Sequence, residues 1–379
     1  MHGIKRREFM KTALSTAAVL GLGSYSRADA PPQIGPESVD PSKSFSFVGI
    51  PDTHVDFLCS GGRLEQMSQW IANKKERLNI SFVAHLGDAG DRRGVGTILE
   101  MLRLTRSSMQ PIINAGLPLS TCIGNHDFDT SSSLRASAAW LAANSFGMDL
   151  YEDMPGFGGT FEQESDSPGV NPGGTANHYI TVNAAGLDLL LLNLELGARE
   201  KVMEWADDLV LNRYPDNHVF VFTHSYLHTD GTRVRPGTSF NPKGYSGFST
   251  APGPENTLDG EDMWQRHLRR WPNLRMVHSG HAISGPRQAY QVSTGDAGNR
   301  VAEWFYNWQE WGYNAQEGRM VHGLSAPHVA SMIKVFNVDI EAGKIRNWNY
   351  MPTAGVVGEE PVAHETDWAD AGFRALMIQ

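Results

Sequence analysis

Apolar residues recur along the chain in two rhythms. From Phe45 to Ile50, and again from Ile80 to Leu86, the run is almost unbroken, as expected of strands buried on both faces. Between these runs Leu64, Met67, Ile71 and Leu78 return at helical spacing. Val95, Ile98, Leu99, Leu102 and Met109 mark a second helix, and a third strand through Leu117 and Leu119 ends at Ile123. A helix from about Leu134 to Phe146 is expected next. Strand, helix, strand, helix, strand is the signature of a parallel sheet with helical crossovers.

Residues 152–177 break the pattern with many Gly and Pro and little periodicity. A loop of that length inside a compact domain is either disordered or functional, here as a lid or rim over a site. Regularity returns with His178 to Asn183, the turn Ala184-Ala185-Gly186, and Leu187 to Glu195, which reads as a hairpin with a deeply buried second strand. A helix with Val202, Trp205, Ala206 and Leu209 on one face leads to the strand Val219 to Phe222. A second Gly/Pro-rich excursion, from about Asp230 to Gly253, precedes a helix carrying Trp264, Leu268 and Trp271 and then the strand Leu274 to His278. Three further strands are expected around Val301 to Trp308, Ala330 to Asp339 and Ile345 to Tyr350, with Ala342-Gly343 turning between the last two. There is no internal repeat, so the chain reads as one domain with two irregular excursions.

The strands stop at chemistry. The first runs into Asp52-Thr53-His54, the second into Gly87-Asp88, and the third into Gly124-Asn125-His126-Asp127. Two later strands end at Thr223-His224 and Ser279-Gly280-His281. In an open parallel sheet the strand ends lie side by side and line the binding crevice. Carboxylate, amide and imidazole donors suit divalent ions such as Zn, Mn or Fe. Asp88, between two other donor groups, is expected to be a carboxylate shared by two ions.

Composition narrows the partners. The 379 residues are 40% hydrophobic and 20% charged, ordinary for a soluble globular protein. A formal net charge of -10 argues against nucleic acid as the main partner. Two cysteines, Cys59 and Cys122, make no disulfide framework, and Cys122 reads as a buried reduced thiol. At the N-terminus, Lys5-Arg6-Arg7-Glu8-Phe9-Met10-Lys11 is a twin-arginine pattern. The apolar stretch Thr12 to Gly23 behind it is too short for a stable membrane anchor. Small residues then offer cleavage after Ala28, or after Ala30, which Pro31 disfavours. Residues 1–30 are therefore expected to be a signal peptide read by the twin-arginine export machinery, leaving a periplasmic or secreted bacterial protein.

The five strand-end blocks together resemble the calcineurin-like metallophosphoesterase family, whose blocks are D-x-H, G-D-x-x-D, G-N-H-D/E, a lone His and G-H-x-H. The likeness covers roughly residues 44–353, leaving 31–43 as a lead-in and 354–379 as a C-terminal tail. Asn307-Trp308-Gln309 and Asn349-Tyr350-Met351-Pro352 also look like the family's. The resemblance implies a four-layer α/β/β/α sandwich and a metal-dependent hydrolase of small-molecule phosphoric esters, a phosphomonoesterase or phosphodiesterase. It further implies two divalent metal ions (Mn, Fe or Zn). By position, Asp52 and His54 look like ligands of the first metal, Asp88 like the bridge, and Asn125, His224 and His281 like ligands of the second. His126 looks like the general acid and Asp127 like the residue that orients it. Asp91 stands where purple acid phosphatases place a Tyr ligand, so no iron–tyrosinate site is expected.

One position departs from the pattern. The family's second His of G-H-x-H is Ile283 here. Either water completes the first site, or His278, His322 or His328 replaces the missing ligand. The alternative is a catalytically weakened metal- or phosphate-binding protein of the same fold.

Overall fold

The buried apolar runs assemble into two sheets. The computed structural model describes residues 39–53, 62–91, 96–129, 137–164, 174–309, 311–314, 319–322, 328–329, 331–357 and 365–367, with side chains described outside 310–330 and up to residue 355. In chain order the strands are β1 Ser44–Ile50, β2 Ile80–His85, β3 Leu119–Thr121, β4 Phe157–Thr160, β5 His178–Ala184, β6 Leu187–Leu194, β7 His218–Thr223, β8 Leu274–Ser279, β9 Gln288–Thr294, β10 Arg300–Tyr306, β11 Trp311–Asn314, β12 Arg319–His322, β13 His328–Val329, β14 Ile333–Asp339, β15 Lys344–Met351, β16 Val356–Val357 and β17 Glu365–Asp367. The helices are α1 Arg63–Leu78, α2 Ile98–Ser108, α3 Gln110–Asn114, α4 Ala138–Leu141, α5 Phe161–Glu164, α6 Glu200–Asp208 and α7 Gly260–Arg266. One sheet has the order β16-β15-β14-β1-β2-β3, with β17 also on β15. The other has the order β4-β5-β6-β7-β8-β10-β9. No helix among the described residues is long and apolar enough to cross a membrane.

Strand alternation builds four layers. On β1, Val48 and Ile50 face a core shared with Leu64, Met67 and Ile71 of α1 and Leu102 of α2. Phe45 and Phe47 of the same strand face the opposite way, into a core with Leu191, Phe220, Phe222 and Met276 of the second sheet. Val219 and Val221 of β7 face a third core with Val202, Met203 and Ala206 of α6 and Met263 and Trp264 of α7. Both faces of the central strands are thus covered, which is why their sequences read as continuous apolar runs. The architecture is the expected α/β/β/α sandwich.

Parallel pairing sets the strand ends level. Ile50 of β1 is paired with His85 of β2, and His85 with Thr121 of β3. In the second sheet Leu194 of β6 pairs with Thr223 of β7, and Phe222 with His278 of β8. The residues that follow these positions are the ones with donor side chains.

Several elements differ from expectation. The helix over 134–146 is four residues long, α4, with 134–136 outside the described residues. Ser137 caps it, Asp129 accepts from Ala138 and Ala139 N–H, and Phe146 N–H closes onto Trp140 O, so local capping turns the chain back early. Part of the irregular stretch 152–177 is β4, an edge strand on β5. Its Gly158 lies under the Tyr179 ring, where a Cβ would come within 2.0 Å, so glycine hides the strand from a propensity reading. α2 begins at Ile98, not Val95, because Thr97 and Glu100 form a reciprocal capping box. β9 was not expected, since Gln288, Gln291 and Ser293 give an edge strand little apolar periodicity.

Candidate metal centre

Tight turns at the strand ends aim the donors inward. Gly87 has φ 104° and Asp88 φ 51°, so the chain leaves β2 through two left-handed residues and lifts the Asp88 carboxylate over the sheet edge. A Cβ on Gly124 would come within 2.2 Å of Asp88 Oδ1, so only glycine lets the β3 turn approach that carboxylate. His281 also sits at positive φ, 76°, just after β8. Such strain gathers at functional sites.

The donors meet where the two sheets meet. Ligand atoms of Asp88, His224 and His281 all lie within 4.8 Å of one another, and all three residues are buried. His224 Nε2 is 3.4 Å from Asp88 Oδ2 and 3.2 Å from Asn125 Oδ1. Its Nδ1 lies 2.7 Å from the Leu86 carbonyl, which can only accept, so the proton sits on Nδ1 and Nε2 is free to ligate. The His224 and His281 rings are 4.6 Å apart. The four residues expected around the second ion are therefore brought together. For the first ion, Asp52 is buried beside them, with Oδ1 4.0 Å from His224 Nδ1. His54 lies outside the described residues.

Asp52 is held both from outside the cluster and from within it. Its Oδ2 accepts from Asn307 Nδ2 at 2.8 Å and its Oδ1 from the His281 backbone N–H at 3.3 Å. Beside it, Thr53 Oγ1 lies 2.8 Å from His85 Nε2, and Gly87 N–H donates to His85 Nδ1. His85 is thus the Nε2–H tautomer, tying the β1 turn to the β2 turn. Sequence reading passed over His85 because it sits inside an apolar run.

The partner of His126 differs from the one expected. Asp91 Oδ1 lies 3.0 Å from His126 Nδ1. Asp127 instead accepts the backbone N–H groups of Gly124 at 2.8 Å and Gly90 at 2.7 Å. Neighbouring residues in a tight turn point apart, so Asp127 clamps the two turns together while Asp91, from the β2 side, reaches the imidazole. The His126 backbone N–H donates to Asp88 Oδ1 at 2.8 Å.

The candidate replacements for the absent family His divide. His278 lies in the core between the sheets, stacked on Phe222 at 5.2 Å and edge-on to Phe47 and Phe336, with its pKa lowered by burial to about 3. It faces aromatic rings and cannot complete a site at the strand ends. The side chains of His322 and His328, on β12 and β13, lie outside the described residues. Ile283 itself is 37% exposed. Cys122 is buried with Sγ 3.0 Å from Asn193 Oδ1 and is a free thiol.

The donor set fits divalent cations. Burial first, and the nearby Asp88 carboxylate after it, push Asp52 up to about 7 and Asp127 up to about 8. Against burial, Asp88 and Asp52 raise His224 to about 10. Buried carboxylates this close repel one another, and positive charge placed among them relieves that repulsion.

A family model described as Calcineurin-like phosphoesterase matches residues 45–285. The uncharacterized protein YvnB of Bacillus subtilis (strain 168) is 24% identical over 258 residues, which is 68% of this chain and 17% of that protein. The chain thus spans less than a fifth of the length of that relative. A 5'-nucleotidase precursor from Thermus thermophilus aligns at 13% identity and TM-score 0.42, over 88% of this chain and 58% of that one. A dimetal phosphatase from Danio rerio aligns at 12% identity and TM-score 0.45, over 86% and 98%.

Proposed function

Because the chain belongs to the calcineurin-like phosphoesterase family, we propose that it hydrolyses phosphoric esters at the strand ends, with two divalent cations bridged by Asp88. The observation that carries this reading is the convergence of Asp88, His224 and His281 within 4.8 Å, from three strands of two sheets. Asp88, Asn125, His224 and His281 would hold one cation, and Asp52, His54 and Asp88 the other. Bound there, such ions supply Lewis-acid charge and an acidified water.

The chain's own groups do the rest. Asp91 keeps the proton of His126 on Nδ1 or takes up the imidazolium charge, so the ring is oriented for proton transfer at Nε2. The His126 side chain is 13% exposed, which leaves it open to a leaving-group oxygen. Asn307 orients Asp52, and His85 braces Thr53 beside it. The twin-arginine stretch in residues 1–30, which lies outside the described residues, would place this activity outside the cytoplasmic membrane.

Ile283 favours a second reading. With an exposed isoleucine in place of a ligand, the first site would bind its ion weakly, and the protein would bind metal or phosphate with little turnover. The test is hydrolysis of p-nitrophenyl phosphate and bis-p-nitrophenyl phosphate after loading with Mn, Fe or Zn. Turnover that depends on the added ion supports the hydrolase. Bound metal with no turnover on either ester, for every ion, supports the binding protein.

A further inference from the structure

Tyr245 reaches the metal centre from the second irregular excursion, residues 230–253. Its hydroxyl lies 3.0 Å from His281 Nε2, with the two rings 6.0 Å apart. The backbone that delivers it is anchored. Asn241 Oδ1 caps the turn Pro242–Gly244 by accepting from Lys243 N–H, and Asn241 Nδ2 donates to Asp259 Oδ2 at 3.1 Å. Lys243 pairs with Asp262 and, at 3.5 Å, with Asp259. Pro242 packs over Gly197, where a Cβ would come within 2.6 Å of the proline ring, and Phe248 supports the Tyr245 ring edge-on at 6.3 Å.

An imidazole that binds a cation uses one nitrogen and gives the other N–H to an oxygen. Nε2 of His281 is engaged by the tyrosine, which leaves Nδ1 for the cation. The Phe240 ring, from the same excursion, stands edge-on to the His281 ring at 5.5 Å. We infer that Tyr245 is a positioning residue: its hydroxyl oxygen accepts the Nε2–H of His281 and so fixes the tautomer and the ring angle at which Nδ1 meets the second cation. The excursion is thereby coupled to metal occupancy. This inference rests on reading Asp88, His224 and His281 as a cation site.

Tyr245→Phe removes one oxygen and keeps the ring. The measurement is isothermal titration of Mn2+ into metal-free, full-length wild type and variant. The expected result is affinity about 10- to 100-fold weaker in the variant, with metal-free thermal unfolding close to wild type. A lowered unfolding temperature with unchanged affinity would make Tyr245 purely structural and overturn the inference. If neither protein binds Mn2+, the cation site itself fails and the inference falls with it. If both bind equally, the inference fails alone. Long-range 1H–15N spectra of the histidines in metal-free wild type give a check that needs no folded variant. Protonation of His281 at Nε2 is expected, and protonation at Nδ1 overturns the assignment.

Discussion

At the residue scale the centre turns on which aspartate meets which imidazole. Asp91 bonds His126 and Asp127 bonds the turns, so their substitutions should separate. His126→Ala is expected to lower turnover by about a hundredfold or more while metal content stays at the wild-type level. The loss should shrink for esters with good leaving groups, and an equal loss for good and poor leaving groups would contradict the acid role. Asp127→Asn leaves one of two buried backbone N–H groups without an acceptor and should cost roughly 1–3 kcal/mol of stability. At position 283, Ile283→His should tighten the proposed first site, read as metal retained after dialysis and as less dependence of activity on added Mn. The donors themselves were legible in the sequence because each follows an apolar run directly. The Asp91–His126 and Tyr245–His281 pairs were not, because each joins segments whose nearness comes from packing and not from spacing along the chain.

At the element scale, the turns after β2 and β3 place the Asp88 carboxylate, the proposed bridge. Gly124→Ala would put a Cβ 2.2 Å from Asp88 Oδ1 and 2.4 Å from Asp88 N. The backbone must shift, at a cost on the order of 1–3 kcal/mol, and metal should be lost along with stability. Gly186→Ala is the control. It lies in the β5–β6 turn at φ 84° with nothing among the described residues within 4 Å, so it should cost stability through backbone strain alone and leave metal binding unchanged. The central strands were readable because burial on both faces makes them wholly apolar. β4 and β9 escaped because an edge strand needs no continuous apolar face, and in β4 glycines make room for Tyr179. The early end of α4 escaped because Phe146 N–H closes onto Trp140 O, a turn that apolar periodicity does not signal.

At the scale of the whole molecule, buried histidines make part of the stability depend on pH. Burial lowers His278 to about 3 and His178 to about 4, and burial together with Arg275 lowers His218 to about 3. Each is neutral in the fold and charges near 6.5 in the unfolded chain. The unfolded state therefore binds more protons between those values. Stability from this source is complete above about 6.5 and is lost as pH falls toward 3. Asp52 and Asp127, raised to about 7 and about 8, bind protons in the fold over the same window and oppose this loss, so the histidine contribution is read as a difference in melting temperature between metal-free wild type and a histidine variant. His278→Phe, in a core of Phe47, Phe222 and Phe336, removes one such group, so the variant should gain stability relative to wild type as pH falls through the window, without changing metal affinity. A loss of metal in that variant would return His278 to the candidate ligands. The central claim is that one carboxylate serves two ions, and Asp88→Asn tests it most directly, since it removes the charge and nearly keeps the shape. Bound metal per chain and turnover of p-nitrophenyl phosphate should be measured together, with circular dichroism to show the fold is kept. The account predicts loss of one or both ions and of most activity in a folded protein. Wild-type metal content and turnover in Asp88→Asn would contradict it.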